Sequence, residues 1–467
     1  MPFPSRPRRL LAVALPALLA VAFTACSSTQ YPNSIFTGHT ENNRDVGYLF
    51  KVLIYLGTFV FIFVEGILLY TIFKYRRRSE NDRPKHVHGN TTLEILWTAI
   101  PALILAFIAV PTVRVIFKSQ AKATADALQV QVIGHQWWWE FRYPQYTSTG
   151  AGGRVDTLIT ANELYLPVGR KVSFTLTSQD VIHSFSIPQL AGKRDLMANR
   201  TNYLWFTPDS VTENAWNGFC AEYCGSSHAN MHFKVLTVTP ANFEAWAAHQ
   251  KSPAAFGAVA SAAPAPAVGA ADTTKVRQEV PVPAKGASQL SATPTTGPGG
   301  ANPATAPAAA PHDMSTMGAL PVQQAGFVAF PREKMPAHTV PTTPLPAGLT
   351  FNESLKGDPE RGRDFMTKMG GGCVGCHRIN GNPVMMGTMG PNLTHIGSRS
   401  TIAGGIYPND TKHLSLWIKN SRRMKPGVIM PTLGAGEWDP VTKAFIPKTG
   451  LNDQQIADIV AYLQALK

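Results

Sequence analysis

Charge is scarce in this chain. Only 15% of its 467 residues are Asp, Glu, Lys or Arg, against ~25% in an ordinary soluble domain, a deficit that points to membrane spans, a low-charge linker, or both. Cysteine is scarcer still. Five residues are an odd number and too few for a disulfide scaffold, so each needs its own account. The 38 Gly and 37 Pro stand only slightly above average usage, which excludes collagen-like repeats and disorder of the whole chain. Long basic blocks are also missing. The formal charge of +13 is spread, with 9 basic against 10 acidic residues in 122–250 and 14 against 9 in 351–467, so the positive excess does not indicate a nucleic-acid partner. A length about three times that of a ~150-residue domain predicts two or three domains.

What is present is sorted along the chain. Arg6, Arg8 and Arg9 precede an apolar run from Leu10 to Phe23 and then Thr24-Ala25-Cys26, the layout of an export signal with a small-residue cleavage site. A Cys directly after small residues resembles a bacterial lipoprotein signal, in which residues 1–25 are removed and Cys26 is lipidated. The alternative is an ordinary signal peptide with an incidental Cys. Two longer apolar runs, Val46 to Phe73 and Leu93 to Phe117, are each long enough to cross ~30 Å of hydrocarbon as a helix. Lys74, Arg76, Arg77, Arg78, Arg83 and Lys85 crowd between them. The positive-inside bias sets that loop in the cytoplasm and everything after residue 120 on the outer, periplasmic face of a bacterial membrane. Residues 26–121 therefore read as a transmembrane hairpin bedded in lipid.

From Leu128 to about Thr239 apolar residues recur with period two, as in Leu128, Val130 and Val132 or Val172, Phe174 and Leu176. That pattern predicts a β-sandwich or barrel within 122–250, closed by a short helix over 240–249. Residues 251–350 are mainly Ala, Pro, Gly, Thr and Ser, cannot bury enough apolar surface to fold, and read as a disordered linker. His312, Met314 and Met317 within it read as linker composition ahead of a weak copper site. A second folded unit, 351–467, ends in a helix that places Ile456, Ile459, Val460, Leu463 and Leu466 on one face, and its size suits a small all-α domain.

Two motifs carry chemistry. Cys373-Val374-Gly375-Cys376-His377 has the C-x-x-C-H spacing of c-type haem attachment, in which two thiols bond the porphyrin and the next residue, His377, reaches the iron. A redox CxxC pair or half a zinc site are the alternatives, but no second Cys pair follows to complete zinc. The iron's other axial ligand is sought among Met424, Met430, His395 and His413. Met430-Pro431, behind Lys425-Pro426-Gly427, resembles the Met-Pro loop of small cytochromes c and selects Met430. Gly362 and Phe365, with Tyr462, resemble that fold's crossing helix pair. The second motif gathers Cys220, Glu222, Cys224, His228 and Met231 within twelve residues. Such soft donors suit copper or zinc, a disulfide being the other option, and the Met favours copper.

At these residues the chain resembles subunit II of cytochrome c oxidase, whose dinuclear copper centre, Cu(A), has the pattern C-x-E-x-C-x-x-x-H-x-x-M. The resemblance extends to Asp180-Val181-Ile182-His183-Ser184-Phe185, to Gly134-His135-Gln136-Trp137-Trp138-Trp139, and to Glu94-Ile95-Leu96-Trp97-Thr98 with Pro101. It implies a cupredoxin-like Greek-key barrel in 122–250 and a class I cytochrome c domain in 351–467. It further implies that Cys220 and Cys224 bridge two copper ions, that His183 and His228 each add a nitrogen, and that Met231 and the Glu222 carbonyl are weak axial ligands. The Glu222 side chain is implied to share a magnesium ion with subunit I, Trp137 to receive the electron, and Glu94 to mark the mouth of a proton path. Glu65 has no assigned role.

The resemblance as a whole implies the electron-input subunit of a haem-copper oxidase. Electrons would pass from a donor such as cytochrome c or a quinol-cytochrome c reductase to one covalent haem, then to the copper pair, then to subunit I, which reduces oxygen to water in the company of the other oxidase subunits. A self-standing membrane-anchored carrier and the electron-input subunit of a nitric oxide reductase are the alternatives. The opposed charges of 351–467 and 122–250, with Asp180 near the copper motif, predict a weak electrostatic docking of the haem domain near Trp137, held mainly by the tether.

Overall fold

The computed structural model describes residues 33–79, 88–149, 155–209, 213–254, 329–368 and 372–467. Cys26, Arg83, Lys85, His312, Met314 and Met317 lie outside them. Two long apolar helices come first, α1 (Glu41–Lys74) and α2 (Thr91–Gln120), each with side chains exposed along nearly its whole length. At 1.5 Å per residue they run roughly 45–50 Å, enough to cross a bilayer with turns to spare. Thr40 and Asn90 cap them by accepting from the Asn43 and Leu93 amides, which satisfies donors that the first helical turn leaves unpaired. The start of α1 and the end of α2 meet the following domain. Asn43 Nδ2 donates to the Pro188 carbonyl at 2.8 Å, Glu41 accepts from the Thr207 amide at 2.9 Å, and Trp205 Nε1 donates to the Lys118 carbonyl at 2.9 Å. Arg76, Arg77 and Arg78 follow the opposite end of α1.

That domain is two five-stranded sheets. One has the order β3-β2-β1-β5-β8 and the other β4-β10-β9-β6-β7, from β1 (Leu128–His135), β2 (Trp138–Thr149), β3 (Val155–Ala161), β4 (Glu163–Pro167), β5 (Val172–Ser178), β6 (His183–Ile187), β7 (Ala191–Leu196), β8 (Asn202–Phe206), β9 (Asn214–Cys220) and β10 (His232–Val238). The pairs β1–β5 and β10–β4 are parallel and the rest antiparallel, a cupredoxin-like arrangement. The period-two pattern is realised in β1, where alternate residues are buried. Phe185 and Phe233 stack at 5.0 Å in the core, with Trp139 and Phe141 against both. Each such ring contributes about 1.5–3 kcal/mol through burial. Helix α3 (Pro240–Lys251) covers one side through Phe243 and Trp246.

The expected linker ends earlier than 350. Phe330 is buried in the core of the β domain, Asn217 Nδ2 donates to the His338 carbonyl at 3.0 Å, and Leu349 joins the core of the C-terminal unit. Composition hid this because these anchors are single apolar residues spaced among prolines.

The C-terminal unit holds α4 (Pro359–Lys368), the one-turn α5 (Cys373–Cys376), α6 (Thr411–Met424) and α7 (Asp453–Ala465). Helix α7 buries Ile456, Ile459, Val460 and Leu463, as its periodicity predicts, and starts with a reciprocal Asn452–Gln455 capping box. It crosses α4 at Gly362. A Cβ there would sit 2.0 Å from the Asp458 carbonyl oxygen, so only glycine lets the two backbones come this close. Arg361 closes the crossing through Asp458 at 2.9 Å.

Candidate functional site

Two segments at one end of the β domain converge on a cluster of sulfur and nitrogen atoms. Cys220 ends β9, Cys224 and His228 lie in the turn beyond it, Met231 precedes β10, and His183 opens β6. The Cys220 and Cys224 sulfurs are 3.7 Å apart. His183 Nδ1 lies 3.9 Å from Cys220 Sγ, His228 Nδ1 3.6 Å from Cys224 Sγ, Met231 Sδ 3.8 Å from Cys224 Sγ, and the Glu222 carbonyl 3.2 Å from Cys220 Sγ. The six groups that the sequence singles out thus come together. His183 and Met231 are fully buried.

Two features prepare the cluster for a soft metal. Hydrogen bonding with Cys224, the largest influence, and with His183 holds the Cys220 thiol down to about 3 against its burial, while sharing with Cys220 and burial push the Cys224 thiol up. One thiolate therefore forms readily, and thiolates are the form that binds metal. His183 Nε2 donates to the Asp180 carboxylate at 2.8 Å, which fixes the ring and leaves Nδ1 facing the sulfurs, as carboxylates behind metal-bound histidines do. The donor chemistry fits copper, with two thiols, two imidazoles, a thioether and a carbonyl in a buried pocket. Among the described residues, His183, Cys220 and Cys224 are the grouping of His, Cys and acidic side chains tight enough to hold a metal ion. The Glu222 side chain points elsewhere, half-exposed beside Lys193 at 3.4 Å.

Asp180 corrects an expectation. Its carboxylate is engaged by His183, by the Gln136 amide at 2.7 Å and by the Val181 amide at 2.7 Å. It orients the His183 ring and is not a free docking charge.

The second site is a cavity of about 260 Å³ whose lining includes Cys373, Cys376, His377 and Met430, with an apolar wall from Leu393, Ile396, Leu414 and Val428 among others. His377 Nδ1 donates to the Pro391 carbonyl at 2.9 Å, which leaves Nε2 available to a metal. Burial lowers the His377 pKa and keeps the ring neutral, as a ligand must be. The donor set and the apolar wall fit a haem. The rivals to Met430 lie outside this lining: Met424 is buried beneath Tyr407, whose hydroxyl donates to its carbonyl at 3.1 Å, His395 contacts His249 and the Ser252 carbonyl, and His413 pairs with Asp410 at 2.8 Å.

Gln136, Trp137 and Trp138 of the β domain line the same cavity. Trp137 Nε1 donates to the Cys224 carbonyl at 2.9 Å, so one indole touches both sites. Trp138 stacks on His135 at 4.2 Å and Trp139 is buried. The contact between the two domains is built from specific hydrogen bonds and one ion pair, not from the diffuse charge attraction that the charge sums predict. Buried Glu163 accepts from the Ser400 amide and hydroxyl at 2.7 and 2.6 Å, Arg378 meets Asp156 at 2.6 Å, and Lys425 reaches the Trp137 carbonyl at 2.6 Å. Sequence reasoning missed Glu163 and Ser400, which belong to no local pattern, and saw Lys425 only as part of the run before Met430, not as a contact to the β domain. In the membrane segment, Glu94 sits exposed in the first turn of α2 and Glu65 lies within α1.

Comparison with known proteins assigns these parts. Residues 35–115 match the family described as cytochrome c oxidase subunit II, transmembrane domain, residues 128–238 its periplasmic domain, and residues 359–467 cytochrome c. The cytochrome c oxidase subunit 2 of Alkalihalophilus pseudofirmus is 27% identical over 414 residues, spanning 87% of this chain and 83% of that one. The probable subunit 2 of Rickettsia bellii is 32% identical over 216 residues, 44% of this chain and 79% of its own, and the subunit 2 of Bacillus sp. strain PS3 is 40% identical over 185 residues, 37% of this chain and 49% of its own. The chain belongs to the cytochrome c oxidase subunit II family, with a copper-binding domain followed by a fused haem-binding cytochrome c domain.

Proposed function

We propose that this chain carries electrons into a haem-copper oxidase through Cys373, Cys376 and His377 on one side and His183, Cys220, Cys224, His228 and Met231 on the other, with Trp137 between them. Bound there, a covalent haem and a dinuclear copper centre would supply one-electron chemistry, so that an electron given by an external donor reaches subunit I, where oxygen becomes water. The chain's residues set the conditions for this. Cys220 and Cys224, with sulfurs 3.7 Å apart, would hold the copper ions together, and their thiolates would spread one electron over both and reduce the rearrangement at each. Asp180 holds the His183 ring, Pro391 holds the His377 ring, and Met430, which lines the same cavity as His377, would be a second protein ligand to the haem iron.

The observation that carries the reading is the placement of Trp137, which lines the haem cavity while donating to the Cys224 carbonyl. The remaining assignments follow from position. The hairpin would stand with Arg76, Arg77 and Arg78 in the cytoplasm and both redox domains on the outer face, since the copper domain meets the other ends of α1 and α2. Cys26 would carry lipid. Glu94, at the cytoplasmic end of α2, would mark a proton path mouth, and the half-exposed Glu222 carboxylate would hold magnesium against subunit I. The test is metal analysis with electron paramagnetic resonance on the purified oxidase: two coppers sharing one unpaired electron are expected, and one tightly held zinc in their place would refute the reading.

A further inference from the structure

The relay requires the haem domain to sit where Trp137 serves both sites, and one buried side chain stands at that junction. Lys425 is 1% exposed, and lysine is almost never fully buried without partners. Among the described residues it forms no ion pair. Its amine donates instead to two carbonyls, that of Trp137 in the copper domain at 2.6 Å and that of Ala403 in its own domain at 3.0 Å. Lys425 also lines the haem cavity beside His377 and Met430. The next residue continues the junction: the Ser227 hydroxyl, one position before His228, donates to the Pro426 carbonyl.

Desolvating an amine carries a cost that two carbonyl contacts return only in part. An apolar side chain of similar volume would fill the same space without that cost. What an apolar chain lacks is the means to hold the Trp137 carbonyl. We infer that Lys425 is a positioning residue for electron transfer between the two domains: its buried amine ties the Trp137 backbone to the segment leading to Met430, so that the indole stays against the haem cavity and on the Cys224 carbonyl. This rests on the reading that haem and copper occupy the two sites.

The experiment uses the assembled, metal-loaded oxidase carrying Lys425→Met. Three quantities are read: the optical spectra of haem and copper, the rate at which an external donor reduces the haem, and the haem-to-copper transfer rate after flash reduction. Small misplacements of groups that must meet cost orders of magnitude in rate, so the third is expected to fall about tenfold or more while the first two keep their wild-type values, and Lys425→Arg, which keeps a donor, is expected to recover part of the loss. Lys425→Gln, which keeps an uncharged N–H donor in the same space, decides the matter if Lys425→Met does not assemble. Wild-type transfer in a variant with both metals in place overturns the inference. Loss of assembly, or of all three quantities together, in both variants makes Lys425 a folding residue only and also overturns it. Absence of copper from the wild-type protein refutes the underlying reading instead.

Discussion

Glu163 gives the interface between the two domains a pH dependence whose sign is fixed by its contacts. The Ser400 amide, the Ser400 hydroxyl and the Thr401 amide, at 2.7, 2.6 and 3.3 Å, all donate to the same oxygen, Oε1, which leaves Oε2 to carry a proton. Burial, the largest influence, raises the Glu163 carboxyl above its ordinary 4.5 against those hydrogen bonds and nearby Arg399. A carboxyl raised in the docked state stabilises docking fully below about pH 4.5, and that stabilisation is lost as pH rises through the raised value, by ~1.36 kcal/mol for each unit of the rise. Glu163→Gln keeps the acceptor and removes the titration. Its docking free energy should match the wild type near pH 4.5 and exceed it progressively toward pH 7.5. Glu163→Ala strands the buried donors and should cost about 3–5 kcal/mol, a docking equilibrium weakened by ~100-fold or more. Other titrating groups face the same region: burial lowers His395 to about 4, Lys234 to about 8 and Arg399 to about 10, and Tyr165 lies close by with its pKa raised. His395 acts in the opposite sense in acid, so the measured quantity is the difference between variant and wild type at each pH. Amide exchange at Ser400 and Thr401 reports it. A difference that stays constant between pH 4.5 and 7.5, or a Gln variant that opens as readily as the Ala variant, would refute the reasoning.

Asp180→Ala should weaken copper binding about 10–100-fold by freeing the His183 ring, read by competition with a chelator of known affinity. Cys220→Ser should abolish the coupled copper signal, because Cys220 Sγ lies at the centre of the cluster, beside Cys224 Sγ, His183 Nδ1 and the Glu222 carbonyl. Gly362→Ala forces a Cβ onto the Asp458 carbonyl and should lower the melting temperature of the haem domain, with a cost of about 1–3 kcal/mol; an unchanged melting curve would contradict the helix crossing. Mass spectrometry of the mature N-terminus should find Cys26 with acyl chains, and an intact Met1 or a free Ser27 terminus would refute lipidation.

Much of this was legible where chemistry fixes local spacing. Cys373, Cys376 and His377 follow one another in C-x-x-C-H spacing, and Cys220, Cys224, His228 and Met231 share one loop, so both motifs survive in one dimension. Apolar period recovered the β strands and helix α7 for the same reason. His183 needed the family resemblance, since it reaches the cluster from another strand. The interface was not legible. Glu163 and Ser400 lie 237 positions apart, Lys425 and Trp137 lie 288 apart, and nothing in the local sequence around either member of a pair points to the other. Net charge misled as well: it counts Asp156 and Asp180 as free carboxylates, whereas one is paired with Arg378 and the other holds His183.

The central claim is that one electron passes within this chain from the haem domain to the copper domain. Flash reduction of the haem in the purified oxidase, followed at haem and copper wavelengths together, tests it most directly. Haem reoxidation and copper reduction are expected to proceed at one rate, independent of protein concentration, and Trp137→Ala is expected to slow both without changing either spectrum. A haem that stays reduced while the copper stays oxidised, or a Trp137→Ala variant that transfers at the wild-type rate, would contradict it.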